Sequence, residues 1–272
     1  MELSLAAWAV IIPYGMLASS LGTLVGLGGG AFVVPMLVLV FGVPLKMAVV
    51  AVTFSLFPSA LLSTIFNIRR KNIDYFAGIS LEIPTIFGAI LGAYLTKILP
   101  VRPMEILFGF FLFYIGARLL RKREPSQDGL LLQINKIPPV FHRTQAGHSY
   151  SMGIPALGIF GLISGLIAGL FGVGGGIVKT PVMLRVFKMP MKRATSTSIF
   201  MIMFTSATAT FSHWKMGSMN WAVALPIGAS FFCGSFIANY WGNKLKSTFL
   251  EKLLGYLVIA AAFAVLIHVW GF

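Results

Sequence analysis

Gly26-Leu27-Gly28-Gly29-Gly30 interrupts one apolar run of membrane length, and Gly172-Val173-Gly174-Gly175-Gly176 interrupts another in the same way. Each copy is followed, five residues after its last glycine, by a proline, Pro35 and Pro181. Glycine tolerates positive φ and leaves bare backbone on view. Within lipid such backbone must be satisfied by protein or line a cavity. One such run is explained equally well by close helix packing. Two in matching places point to a functional site at Gly28, Gly29, Gly30, Gly174, Gly175 and Gly176, with Pro35 and Pro181 as helix-breaking residues.

The matching places belong to a duplication. An offset of 146 aligns the two glycine runs without a gap, and with them Pro35/Pro181, Pro44/Pro190, Lys46/Lys192, Gly88/Gly234, Glu105/Glu251 and Gly109/Gly255. Shared apolar composition explains Leu and Phe matches, but not matches of Gly, Pro, Lys and Glu. Three parts follow: a first repeat over 1–120, a polar linker over 121–150 and a second repeat over 151–272.

Composition sets the class. Of 272 residues, 57% are hydrophobic and only 10% charged, and the mean hydropathy is +0.89. These values describe an all-α polytopic membrane protein. The net charge of +14 lies in loops between apolar runs, without the interleaved stacking aromatics of a nucleic-acid surface, so no nucleic-acid partner is expected. The lone cysteine, Cys233, excludes an intrachain disulfide. Met1-Glu2 supplies no basic leader, and residues 4–26 have a counterpart at 152–172, so the first helix reads as part of the fold rather than as a signal peptide.

Apolar segments cover 4–26, 31–42, 46–66, 75–98 and 103–120, then 152–171, 177–187, 191–213, 219–243 and 248–269. The segments 31–42 and 177–187 are too short for a hydrocarbon core of ~30 Å. If each glycine-rich segment enters and returns, sixteen Lys and Arg fall on one face and four on the other; if each crosses, the split is ten and ten. The positive-inside rule selects the first arrangement. It makes the repeats inverted, each with about four to five membrane helices, the linker cytoplasmic and both termini outside. Broken helices at an inverted-repeat interface are a recurrent plan of secondary transporters.

A helix starting just after a glycine run directs free N–H groups and a positive dipole end at the break, which favours an anion there. Lys179 and Thr180 lie one turn beyond the second run, and Lys179 is the basic residue deepest in an apolar segment. A lysine there pairs, snorkels or contacts a ligand. Thr195, Ser196, Thr197 and Ser198 supply hydroxyls where the first repeat has Val49-Val50-Ala51-Val52; they either bind an oxyanion or bond backbone within their own helix. Asn67 and His213 occupy matching positions at helix ends, as coupling or gating groups or as interfacial residues, and Glu82 is a candidate proton carrier. No Walker motif, metal-spaced His/Cys set or nucleophile–His–acid arrangement is present, so neither enzyme activity, cofactor nor metal is expected.

GLGGGAFVVPML and GVGGGIVKTPVML, followed by Pro44-Leu45-Lys46-Met47-Ala48 and Pro190-Met191-Lys192-Arg193-Ala194, resemble the TauE/SafE family, also called the 4-toluene sulfonate uptake permease family. The resemblance covers the whole chain apart from the linker. It implies a permease of the prokaryotic cytoplasmic membrane for sulfite, sulfonates or related small anions, often an exporter. Family members are described with about eight spans, against ten apolar segments here. A secondary transporter is therefore expected, with a small anion and a coupling proton or ion as partners in the lipid bilayer. The rival readings are an anion channel of the same fold and a non-transporting scaffold subunit.

Overall fold

The structure, a computed structural model, describes residues 4–120, 129–145, 148–241 and 247–270; the basic run Arg121-Lys122-Arg123 expected in the linker lies outside them. The chain is a predominantly helical, multi-pass membrane protein. Helices α1 (Leu5–Val25), α2 (Gly30–Leu39), α3 (Leu45–Arg69), α4 (Tyr75–Ile98) and α5 (Val101–Leu120) form the first half. Helices α7 (Ile154–Phe171), α8 (Gly176–Pro181), α9 (Met191–Lys215), α10 (Trp221–Trp241) and α11 (Ser247–Trp270) form the second. Among the described residues, α1, α3, α4, α7 and α10 are long and apolar enough to cross a membrane. Their outward faces expose Ile83, Phe87 and Leu225, side chains that lipid accepts and water does not.

The long helices approach each other through small residues, because only bare backbone allows such contact. A Cβ added at Gly165 would stand 1.9 Å from the Thr85 carbonyl oxygen, and one at Gly88 would stand 2.2 Å from that of Leu162. These contacts lock α4 and α7 side by side in the same direction. Gly234 against Met16 and Gly15 against Ser230 do the same for α1 and α10. Gly234/Met16 and Gly88/Leu162 differ by 146 in both members, as do Gly15/Ser230 and Gly161/Pro84.

α2 turns back along α1: Tyr14 Oη donates to the Phe32 carbonyl at 3.2 Å, and Gly29 lies against Ala18. Ten residues reach only about 15 Å, as the short segment required. The breaks fall at the glycines; Pro35 sits inside α2. Pro181 ends α8, and a wide π turn, Val182–Val186, follows it.

The linker holds structure that its polar composition did not announce: α6 (Gly129–Lys136) and an antiparallel hairpin of β1 (Val140–Gln145) and β2 (His148–Gly153). Tyr150 Oη donates to the Asp74 carboxylate, and Asp74 also caps α4 by accepting from the Ala77 N–H at 3.1 Å. Asn135 Nδ2 donates to the carbonyls of Ser151 and Val186. The hairpin thus closes over the start of α4 and the π turn, burying Tyr150 and Met152 with Met183, Val186 and Phe187. That end of the helices is the linker face. At the opposite face, Lys46 Nζ reaches the Lys97 carbonyl at 3.0 Å. The start of α9 meets the end of α3 at the linker face, through Ser196 and Asn67, so α3 and α9 enter from opposite faces.

Candidate functional site

Gly26 ends α1 with φ of 79° and Gly172 ends α7 with φ of 69°. In the first loop the N–H groups of Leu27 and Gly28 both turn back to the Gly22 carbonyl, at 2.8 and 3.1 Å. The two loops meet back to back. A Cβ at Gly30 would lie 2.5 Å from the Gly172 carbonyl oxygen, and one at Gly176 would lie 2.4 Å from that of Gly26. Gly28 and Gly174 both rest on Leu56 and Ile202, themselves separated by 146. The breaks therefore converge at mid-helix, as expected. Where an anion is expected between the helix starts, the loops bring up the carbonyl oxygens of Gly26 and Gly172 and the side chains of Leu56 and Ile202, none of which solvates a desolvated anion.

The hydroxyl cluster fans out, since consecutive helical residues point about 100° apart. Ser198 Oγ and Thr180 Oγ1 each donate to the Gly26 carbonyl at 3.1 Å, holding the first loop from the second half. Thr197 Oγ1 accepts from the Asp74 N–H at 3.0 Å. Ser196 Oγ bonds Asn67 Oδ1 at 3.0 Å, and Thr195 packs on Gly26. Only Thr195 and Ser196 face one common space.

Lys179 neither snorkels nor faces an opening. It is 1% exposed, and its Nζ stands 2.6 Å from Glu82 Oε2 and 2.5 Å from Thr205 Oγ1. Thr205 Oγ1 lies 2.5 Å from Glu82 Oε1, closing a triad across α4, α8 and α9. Glu82, the candidate proton carrier, is buried. The positions 146 residues away from the triad are Val33, Ser59 and Gly228, so the first half has no counterpart ion pair. Thr205 was invisible in sequence, one hydroxyl among several on a helix.

Beside the first break a half-open cavity of about 370 Å³ faces the linker side. The end of α1 gives it Thr23 and Leu24, the end of α3 gives Asn67 and Arg70, and the start of α9 gives Lys192, Thr195, Ser196 and Ile199. Asn72, Met191, Ala238 and Asn239 complete the wall. Among the described residues it carries two cations, several amide and hydroxyl groups, and no carboxylate. Arg70 Nη2 is braced on the Asn239 carbonyl at 2.5 Å, and Asn239 Nδ2 on Ser63 Oγ at 2.8 Å. Of the residues expected at the site, the cavity gathers Asn67, Thr195 and Ser196. In sequence Arg70 and Lys192 are two loop charges among many, and Asn239 is a lone polar residue near the end of an apolar run. His213, matched to Asn67, is instead 1% exposed, with its ring against the Gly169 backbone.

The "Sulfite exporter TauE/SafE" family model matches residues 11–265. The "Probable membrane transporter protein YunE" of Bacillus subtilis is 29% identical over 265 residues, covering 93% of this chain and 95% of its own. A probable membrane transporter protein of Methanocaldococcus jannaschii is 30% identical over 210 residues, 75% of this chain and 71% of its own. An Arabidopsis thaliana protein named "Sulfite exporter TauE/SafE family protein 6" is 21% identical over 333 residues, 89% of this chain and 78% of its own. No solved structure matches the chain.

Proposed function

The chain belongs to the sulfite exporter TauE/SafE family, and from that premise we propose that it is a secondary-active transporter of a small anion, sulfite or a related sulfonate, working as an exporter. Its two halves act as inverted repeats. The linker face is cytoplasmic and both termini are periplasmic in the inner membrane of a prokaryote, the arrangement that puts the basic loops inside.

The observation that carries this reading is the cavity at the first break. Arg70 and Lys192 provide charge, Asn67, Thr195 and Ser196 provide directed polar contacts, and among the described residues no acid lines the cavity to oppose them. A compact oxyanion is bound by such convergent donors. Cytosolic substrate enters there, and Leu56, Ile202 and the packed glycine loops close the way onward. The Glu82–Lys179–Thr205 triad supplies coupling: protonation of the carboxylate removes the counter-charge of Lys179 and frees the ammonium for a passing anion.

Sulfite binding to the purified protein tests this. Sulfite raises the melting temperature of the parent, and the Arg70→Gln/Lys192→Met double variant loses that response while folding normally. An equal response in both proteins would place the anion elsewhere.

A further inference from the structure

The cavity at the linker face has a closed counterpart. Shifting its residues by 146 positions places Asn67 on His213, Lys192 on Lys46, Ser196 on Val50 and Thr23 on Gly169. These counterparts meet at the opposite face, where the helices are tied shut. Lys46 Nζ bonds the Lys97 carbonyl, and Thr96 Oγ1 reaches the carbonyls of Gly169 and Leu170, each at 3.1 Å. Gly169 itself lies against Ala89 with no room for a side chain.

Inside this closure, among the described residues, His213 Nε2 and Thr210 Oγ1 have no hydrogen-bond partner; Thr64 Oγ1, which matches Thr210 in the first half, has none either, so His213 is what sets this face apart. His213 is 1% exposed. A buried imidazole nitrogen left unpaired is costly, and native proteins keep such atoms rarely. The same nitrogen is satisfied once it faces water or an oxyanion, so its burial biases the chain toward a second conformation that exposes it. Thr64 and Asn67 stand at the matching positions of the first half, and there Asn67 already lines the open cavity.

We propose that Lys46, Thr210 and His213 form a second oxyanion-binding vestibule, closed in this structure, which opens at the opposite face when the cavity at Asn67 and Lys192 closes. The inference rests on the transporter reading. It adds the exit site, with the imidazole taking the part that the Asn67 amide plays at entry. The departing anion passes from Arg70 and Lys192 to Lys46 and His213.

The full chain carrying Cys233→Ser, in right-side-out and everted membrane vesicles, tests the vestibule with a charged, impermeant methanethiosulfonate reagent. Single cysteines replace Val50 and, separately, Asn72. Val50→Cys is expected to react from the face bearing Lys46, Asn72→Cys from the linker face, and added sulfite to shift the two rates in opposite directions. An unreactive Val50→Cys in vesicles that still exchange sulfite would overturn the vestibule and leave the transporter reading standing. A reactive Val50→Cys without any sulfite exchange would support the vestibule and overturn transport alone. Histidine variants give a second measure. His213→Asn keeps sulfite exchange near the parent's, whereas His213→Leu lowers it about tenfold, the order expected for one lost hydrogen bond to a charged group. Asn72→Cys labelling stays unchanged in both. Equal exchange in the two variants would count against the site.

Discussion

Lys179 and Glu82 are 97 residues apart in sequence and 2.6 Å apart in space, joining the short helix after the second glycine break to the first half of the chain. Removing one partner of a buried ion pair strands the other charge, at a cost of about 3–5 kcal/mol. Lys179→Met and Glu82→Gln are each expected to lower the melting temperature sharply in detergent. The double variant should recover most of the loss, because a well-packed neutral pair replaces an ion pair with little penalty. Its sulfite flux should stay absent, since the coupling groups are gone. Additive destabilisation in the double variant would mean that the two residues do not act on each other.

The glycines of the breaks are expected to be intolerant for reasons of packing. Gly176→Ala drives a methyl group into the Gly26 carbonyl oxygen, which lies 2.4 Å from the added Cβ; overpacking of this kind costs about 1–3 kcal/mol. Gly158→Ala, where a Cβ meets nothing within 4 Å, serves as the control and should leave stability unchanged. Thermal unfolding of the two variants makes the comparison. Equal stability would mean that the loops are not in contact.

The duplication, the membrane class and the position of both breaks are legible in the sequence, because Gly, Pro and Lys at fixed spacing have few other causes. The need of Lys179 for a partner is legible too. Its identity is not: Glu82 and Thr205 reach it through tertiary packing that no local pattern records. The hydroxyl run Thr195–Ser198 reads as one cluster by adjacency, whereas helix geometry leaves Thr195 and Ser196 on the cavity and turns Thr197 to Asp74 and Ser198 to the Gly26 carbonyl. Nothing in the sequence singles out Arg70 and Lys192, because a positive-inside count treats loop cations as interchangeable. The hairpin has no local signal, because its apolar contacts, Tyr150 and Met152 on Ile73 and Met183, lie across the fold.

That hairpin is expected to brace the linker face. Tyr150→Phe removes the hydroxyl that serves the buried Asp74 carboxylate, and leaving such a group short of a partner costs about 1–3 kcal/mol. The variant should melt at lower temperature and show faster hydrogen exchange at Ala77, whose N–H Asp74 caps. Unaltered exchange there would mean that the hairpin is a passive cover.

Orientation has its own check. A cysteine at Ser149, exposed on the hairpin, should react with an impermeant thiol reagent only in everted vesicles when Cys233 is replaced by serine. Reaction in right-side-out vesicles would reverse the assigned faces and, with them, the direction of export.

The most direct measurement is sulfite counterflow in proteoliposomes containing the purified chain. Unlabelled sulfite on the far side should accelerate movement of labelled sulfite, and Lys192→Met should raise the concentration needed for half-maximal exchange by about tenfold, one charge-assisted hydrogen bond being lost. Flux without acceleration from the far side, and unchanged by Lys192→Met, would contradict an alternating carrier that binds its anion at the cavity beside the first break.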